Sequence, residues 1–525
     1  MSRIGFRLPS RNLILLTACL SLAGWGCKKS AMPPPPPPPS FGASVGPGQQ
    51  NTEEYSRIEE PGFRSALDNP LSTFSADVDT ASYANVRRFL REGKLPPPDA
   101  VRIEEMINYF RYSYPEPERS EPLSILTELA ACPWQPEHQL LSIGIRAKSI
   151  STQDLPPNNL VFLIDVSGSM MPPNKLPLLK RAFAQLVEIL RPQDRIALAV
   201  YAGRAGLVLP STPGSEKKKI IEAISALDAG GSTAGGEGIA LAYRVARGNF
   251  LRNGNNRVIL ATDGDFNVGI SSAADLVRLI EKERESGVYL RVLGVGTGNL
   301  KDSRMEQLAD KGNGNYSYLD SFLEARKVLV QEFGGTLATV AKDVKLQVEF
   351  NPAKVHSYRL IGYENRVLRA EDFKDDKKDS GDIGAGHTVT ALYELIPAGA
   401  KSNVPPSDEL RFQKTVVKPG AENAETFFVK VRYKDVQSGE VRELQRGPQG
   451  VARSFAEASE NLRFAAAVAE FGLLVRGSPF KGASSFDHVI RAVEQTRGPD
   501  PEGHRSEFEF LVKTARNLGV AQTGK

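Results

Sequence analysis

The stretch Val161-Phe-Leu-Ile-Asp-Val-Ser-Gly-Ser-Met170 restricts the fold of this chain more than any other. Val161 to Ile164 form an unbroken apolar run, as expected of a central parallel strand buried on both faces. Asp165 ends the run, Ser167 and Ser169 alternate with Val166 and Gly168, and a helical pattern starts near Lys175. One carboxylate and two hydroxyls therefore sit on a loop leaving the carboxyl end of a strand, where open α/β sheets bind their ligands. All three offer hard oxygen, which suits Mg²⁺, Mn²⁺ or Ca²⁺ better than zinc.

Two later segments extend the pattern. Gly230-Gly-Ser-Thr-Ala-Gly-Gly236 is a glycine-rich turn carrying a hydroxyl at Thr233, and Arg257-Val-Ile-Leu-Ala-Thr-Asp-Gly264 is a second buried strand ending in Asp263. With the first stretch they resemble the von Willebrand factor type A domain and its metal-ion-dependent adhesion site, over residues 157–333. The resemblance implies a doubly wound, mainly parallel α/β sheet. It also implies five metal ligands: Asp165, Ser167 and Ser169 in the first motif, Thr233 in the second and Asp263 in the third. By the family pattern the two serines coordinate directly, Thr233 can do so, and the two aspartates act directly or through water. The cofactor implied is a divalent cation, Mg²⁺ first, with Mn²⁺ or Ca²⁺ as alternatives. Two carboxylates balance its charge on paper, and water-mediated contact leaves it electrophilic toward an Asp or Glu of a protein partner. Asp265 and Asn267 are candidates for the rim, with turn geometry and helix capping as their plainer role.

The amino terminus reads as an export signal. Arg3, Arg7 and Arg11 precede an apolar core from Leu13 to Gly26, short of the ~20 residues a spanning helix needs. Gly24-Trp25-Gly26-Cys27 resembles a lipoprotein cleavage site, with Cys27 as the lipidated residue. Leu16-Thr17-Ala18-Cys19 fits the consensus better, but cleavage there would leave an apolar stretch on the mature chain. Residues 1–26 are thus expected to be a lipoprotein signal peptide and 27–52 a tether. Pro33 to Pro39 would form a stiff polyproline II spacer of about 20 Å, and the Gly-, Ser- and Gln-rich residues after it a loose one. The body would then be lipid-anchored in the bacterial cell envelope. The formal net charge of +4 includes the three leader arginines, so the remaining body is near neutral and offers no charge footprint for nucleic acid.

Around the α/β segment the expected organisation is a helical segment at 53–120, strands at 121–150, a β-rich region at 334–450 and a helical tail at 451–525. The α/β domain is expected to be inserted in or followed by a β-sandwich, which the strands at 124–130 and 139–147 would join across it, with the tail packed on the sandwich. Asp79 or Thr80 is read as the cap of a helix from Ala81 to Glu92, and Leu71, Thr73 and Ser75 as a poor strand signal. Asp77-x-Asp79-x-x-Ser82 has the look of a second metal site but lacks a partner strand. The words around it, STFSADVDTASYANVRR, resemble the leading segment of a family of bacterial exported proteins, and the helical tail resembles that family's carboxyl-terminal segment.

Catalysis finds little support. His138, His356, His387, His488 and His504 show no paired metal-ligand spacing, no nucleophile elbow is present, and the glycine-rich turn lacks the Gly-Lys-Ser/Thr ending of a phosphate loop. With Cys27 lipidated and Cys19 removed, Cys132 would be the one remaining thiol. The chain is expected to be a binding protein rather than an enzyme, either a metal-dependent capture module or an assembly subunit with a structural metal.

Overall fold

The computed structural model describes residues 51–523 apart from 77–78, 119, 152, 232–234, 265–272, 333–337, 379, 403, 405–410, 413–414, 437 and 449–450. The expected signal peptide, both leader cysteines and the expected tether up to residue 50 lie outside the described residues, as do Thr233, Asp265, Asn267 and Asp77, whereas Thr52, expected to end the tether, is described and hydrogen-bonds Gly298.

In chain order, β1 (Arg64–Ser65) and β2 (Leu71–Ser75) precede α1 (Ala81–Arg91), α2 (Ile103–Asn108) and the hairpin of β3 (Leu123–Cys132) and β4 (Gln135–Ala147). The α/β segment follows as β5 (Asn158–Asp165), α3 (Leu176–Ile189), β6 (Arg195–Tyr201), β7 (Ala205–Pro213), α4 (Lys217–Ser225) and α5 (Gly235–Gly248). It continues with β8 (Asn255–Thr262), α6 (Ala273–Arg284), β9 (Tyr289–Val295), α7 (Asp302–Lys311), β10 (Tyr316–Leu319) and α8 (Phe322–Arg326). Seven strands come next: β11 (Thr339–Phe350), β12 (Val355–Ile361), β13 (Val367–Leu368), β14 (Ile383–Gly384), β15 (Thr388–Pro397), β16 (Phe427–Asp435) and β17 (Val441–Arg446). The chain then ends in α9 (Glu460–Arg476), α10 (Phe486–Gln495) and α11 (His504–Thr523).

The α/β sheet has the order β10-β9-β8-β5-β6-β7, parallel except for β7, which runs antiparallel at the edge. All eight residues of β5 are buried, which accounts for its unbroken apolar run. One face of the sheet packs on α3, α4 and α8 through Leu179, Phe183, Ile220 and Ala325, and the other on α5, α6 and α7 through Ile239, Tyr243, Leu276 and Met305. Chain direction across the sheet reverses at β5, since β6 lies on one side of it and β8 on the other. The loops after β5 and β8 therefore diverge and leave a crevice at the carboxyl edge.

Two antiparallel sheets, β1-β12-β15-β4-β3 and β13-β2-β11-β16-β17, form a sandwich whose core interleaves Ile143 and Ile145 with Leu346, Val348, Val429 and Val431. The hairpin that precedes the α/β segment is hydrogen-bonded to a strand that follows it, with Ile145 opposite Val389 and Leu141 opposite Tyr393. The helical tail does more than cover this sandwich. Phe464 of α9 and Phe508 of α11 meet Phe110 and Tyr83, so the tail shares one core with α1 and α2 as well as with Trp134 of the β3–β4 turn and Leu140 of β4. Among the described residues no helix is long and apolar enough to cross a membrane.

Two local expectations need correction. Leu71–Ser75 is a strand, and Thr80, at the N-cap of α1, makes no side-chain capping hydrogen bond. Asp79 accepts hydrogen bonds from the Tyr316 backbone (2.8 Å) and from Arg366 (3.0 Å), which ties the segment before α1 to the α/β domain and to the sandwich.

Candidate metal centre

Asp165 is the last residue of β5 and Asp263 follows the last residue of β8, so the switch point of the sheet brings two fully buried carboxylates to one crevice. The β5 loop folds back on its own strand. Ser167 N–H donates to Asp165 Oδ1 at 2.8 Å, and residues 168–170 make a single 3₁₀ turn that carries Ser169 over the crevice. There Ser169 Oγ donates to Asp263 Oδ2 (2.6 Å) and lies 3.1 Å from Ser167 Oγ. Four of the five expected ligands thus converge from two strand ends. The glycine-rich turn closes the third side: Gly168 N–H donates to Gly231 O (3.1 Å) and Gly230 N–H to Val166 O (2.7 Å). Thr233, two residues further on, lies outside the described residues.

The surrounding shell contains groups that the sequence motifs do not announce. Thr262 Oγ1 reaches Asp165 Oδ2 at 3.4 Å and accepts the Gly264 N–H at 3.1 Å. Lys175, which immediately precedes α3, is buried and donates from Nζ to Asp263 Oδ2 and to Asn299 Oδ1, both at 3.0 Å. Its stem passes over Gly296, where an added Cβ would come within 2.1 Å of the Lys175 side chain. The glycine is what admits the lysine. One signal for Lys175 was available in the sequence: it is a charged residue next to the apolar first turn Leu176, Leu178 and Leu179, where nothing local would pair it.

The two carboxylates differ electrostatically. Burial pushes Asp165 up to about 6 against hydrogen bonds from Ser167, and the nearby Asp263 adds to the rise. Burial also raises Asp263, but hydrogen bonds from Asn299 and Ser169 and the Lys175 ammonium outweigh it and hold the group below the ordinary aspartate value. The donor set of hydroxyl and carboxylate oxygen, with one buried carboxylate short of compensation, fits a hard divalent cation.

The other candidate cluster is different in kind. Asp79, Glu105 and Glu306 lie close enough to share an ion, but each is paired with an arginine. Arg102 pairs with Glu105 and Asp302, and Arg366 pairs with Asp79 at 3.0 Å and Glu306 at 3.3 Å. Ser82, the last residue of that motif, donates to Ala100 O at 2.7 Å. This network fastens α1 and α2 to α7.

Three family profiles match in succession: "von Willebrand factor" over residues 49–142, "von Willebrand factor type A domain" over 159–331, and "Uncharacterized protein YfbK, C-terminal" over 335–518. The chain is 45% identical to the protein YfbK of Escherichia coli (strain K12) over 472 residues, which is 88% of this chain and 81% of that one. Among solved structures, an aerotolerance-related membrane protein from Bacteroides fragilis is 25% identical, with a TM-score of 0.29 over 33% of this chain and 98% of its own. A von Willebrand factor type A protein from Catenulispora acidiphila is 16% identical, with a TM-score of 0.40 over 74% of this chain and 89% of its own. With its amino-terminal segment, adhesion-type domain and carboxyl-terminal region all matched, the chain belongs to the YfbK family of bacterial von Willebrand factor type A proteins.

Proposed function

We propose that this protein is a cation-dependent protein-binding module of the bacterial envelope, one that captures an acidic side chain of a partner. Asp165, Ser167, Ser169, Thr233 and Asp263 would hold the ion, which supplies an electrophilic, exchangeable position for an oxygen ligand. Mg²⁺ suits the all-oxygen donor set best, with Mn²⁺ or Ca²⁺ as alternatives.

The observation that carries the reading is Lys175. Two aspartates alone would neutralise a divalent ion. With an ammonium 3.0 Å from Asp263, the loaded site keeps one net positive charge. An incoming Asp or Glu completes that balance, while a neutral ligand does not, so the local charge selects for an acidic partner. The reading is of a binding protein and not of an enzyme. Its place in the envelope rests on the leader and Cys27, and Cys27→Ser should move the protein out of the membrane fraction.

The test is a pull-down from envelope extract with and without chelator. A partner released by chelator and restored by Mg²⁺ supports capture through the ion. A partner that stays bound after chelation favours a permanently docked assembly subunit and removes the ion from the interface.

A further inference from the structure

The loop that carries Asn299 does not stand alone. Residues 51–55, at the amino-terminal edge of the described chain, run along it as a strap. Thr52 N–H donates to Gly298 O (2.8 Å), Glu54 N–H to Leu300 O (2.9 Å) and Asp302 N–H to Glu54 O (3.1 Å), forming a short parallel bridge. Lys301 Nζ returns to Thr52 O (2.6 Å) and Glu54 Oε1 (2.7 Å). Glu53 locks the strap from inside. Its side chain is only 4% exposed, accepts the Gly298 N–H at 2.8 Å, and is gripped by Arg88 of α1 at 2.9 and 3.1 Å.

The clamped loop touches the candidate metal centre twice. Asn299 hydrogen-bonds both Lys175 and Asp263. The Lys301 backbone also packs so closely on Gly264 that a Cβ there would sit 2.6 Å from Lys301 N, which fixes the chain directly after Asp263.

We propose that the strap is a positioning element for the cation site, with Glu53 holding loop 298–301 so that Asn299 and Lys301 keep Asp263 in its ligating orientation. The inference rests on the cation-site reading given above. It implies that the segment just after residues 1–50 sets cation affinity, although it contributes no ligand.

Full-chain protein is titrated with Mn²⁺ by calorimetry, with thermal unfolding recorded in parallel. Glu53→Ala removes the acceptor for Gly298 N–H and should weaken Mn²⁺ binding by about tenfold, the usual effect of losing a group that orients a ligand. Glu53→Gln keeps an oxygen for that N–H while losing the charge opposite Arg88, so it should lower the melting temperature yet bind Mn²⁺ within about twofold of wild type. Thr52→Pro deletes one bridge donor at an exposed residue and spares the buried Glu53–Arg88 pair, which keeps the test available if Glu53→Ala does not fold; it should weaken binding in the same direction. Wild-type affinity in Glu53→Ala or in Thr52→Pro overturns the inference and leaves the cation site standing. No Mn²⁺ binding by wild type overturns the cation-site reading itself, and the strap's proposed role with it.

Discussion

Replacing Lys175 by Met tests the charge argument where it is most exposed. Methionine keeps an unbranched stem over Gly296 and deletes the ammonium. Asp263 is fully buried, and Ser169 and Asn299, which also hydrogen-bond it, carry no charge. Removing one member of a buried ion pair leaves the other uncompensated, at a cost of about 3–5 kcal/mol. That cost falls on the ion-free protein. A divalent cation restores positive charge beside Asp263 and can recover most of it. Recovering 3 kcal/mol corresponds to about a hundredfold tighter ion binding. Lys175→Met should therefore melt lower than wild type in chelator, bind Mg²⁺ up to about two decades tighter by calorimetry, and show a larger ion-induced rise in melting temperature. The same variant should lose acidic-partner capture, because its loaded site is neutral. A folded Lys175→Met protein with unchanged or weaker Mg²⁺ affinity would show that the ammonium does not share the charge of the site, and the selectivity argument would fail.

Two further predictions follow from the same geometry and from the sandwich. Ser167→Ala removes one of the oxygens proposed to hold the ion; saturating Mg²⁺ should stabilise wild type by RT ln(1 + [L]/Kd) and the variant not at all, and equal stabilisation would place the ion elsewhere. Burial pushes Asp382 up to about 7 despite Lys342 and the Asp343 N–H, which donates to its Oδ1 at 3.2 Å. Its folded value lies above its unfolded one, so the native state keeps a proton that the unfolded chain releases; stability should fall between about pH 4 and pH 7 by roughly 4 kcal/mol at most. Asp382→Asn should flatten that slope and be the more stable protein at pH 8, as read by denaturant unfolding across the range; parallel pH profiles for the two proteins would refute the assignment.

The parts of the fold that were legible in sequence are those whose burial leaves a local trace. Val161–Ile164 and Val258–Ala261 read as strands because parallel strands covered on both faces must be apolar throughout. Leu71–Ser75 left no such trace, since three of its five residues carry hydroxyls. It is a strand because β11 and β13 flank it and because each hydroxyl finds a hydrogen-bond donor. Gln347 donates to Thr73 (3.0 Å), Tyr393 to Ser72 (3.0 Å) and the Gly381 N–H to Ser75 (2.9 Å). Those donors lie hundreds of residues away, beyond the reach of any periodicity. β17 was missed for the opposite reason: Val441–Arg446 is a mostly exposed edge, rich in Arg and Glu, with no apolar alternation to read.

The site divides along the same line. Asp165, Ser167 and Ser169 are legible because one loop presents all three, and Asp263 because a second buried strand ends there. Lys175, Asn299 and Glu53 are not, because each acts through contacts made at long range. Lys175 meets Asp263 across 88 positions and Asn299 across 124, and Glu53 meets Gly298 across 245. A motif can name the oxygens that would surround an ion. It cannot give the net charge of the loaded site, which decides whether that ion still attracts a carboxylate, nor the stiffness of the loop that aims Asp263. In this chain both would depend on a lysine beside α3, an asparagine before α7 and a glutamate in the strap. Relatives with the same five motif residues but without these three should therefore differ in ion affinity and in preference for acidic partners while keeping the fold, since none of the three belongs to the apolar cores that hold the α/β sheet together.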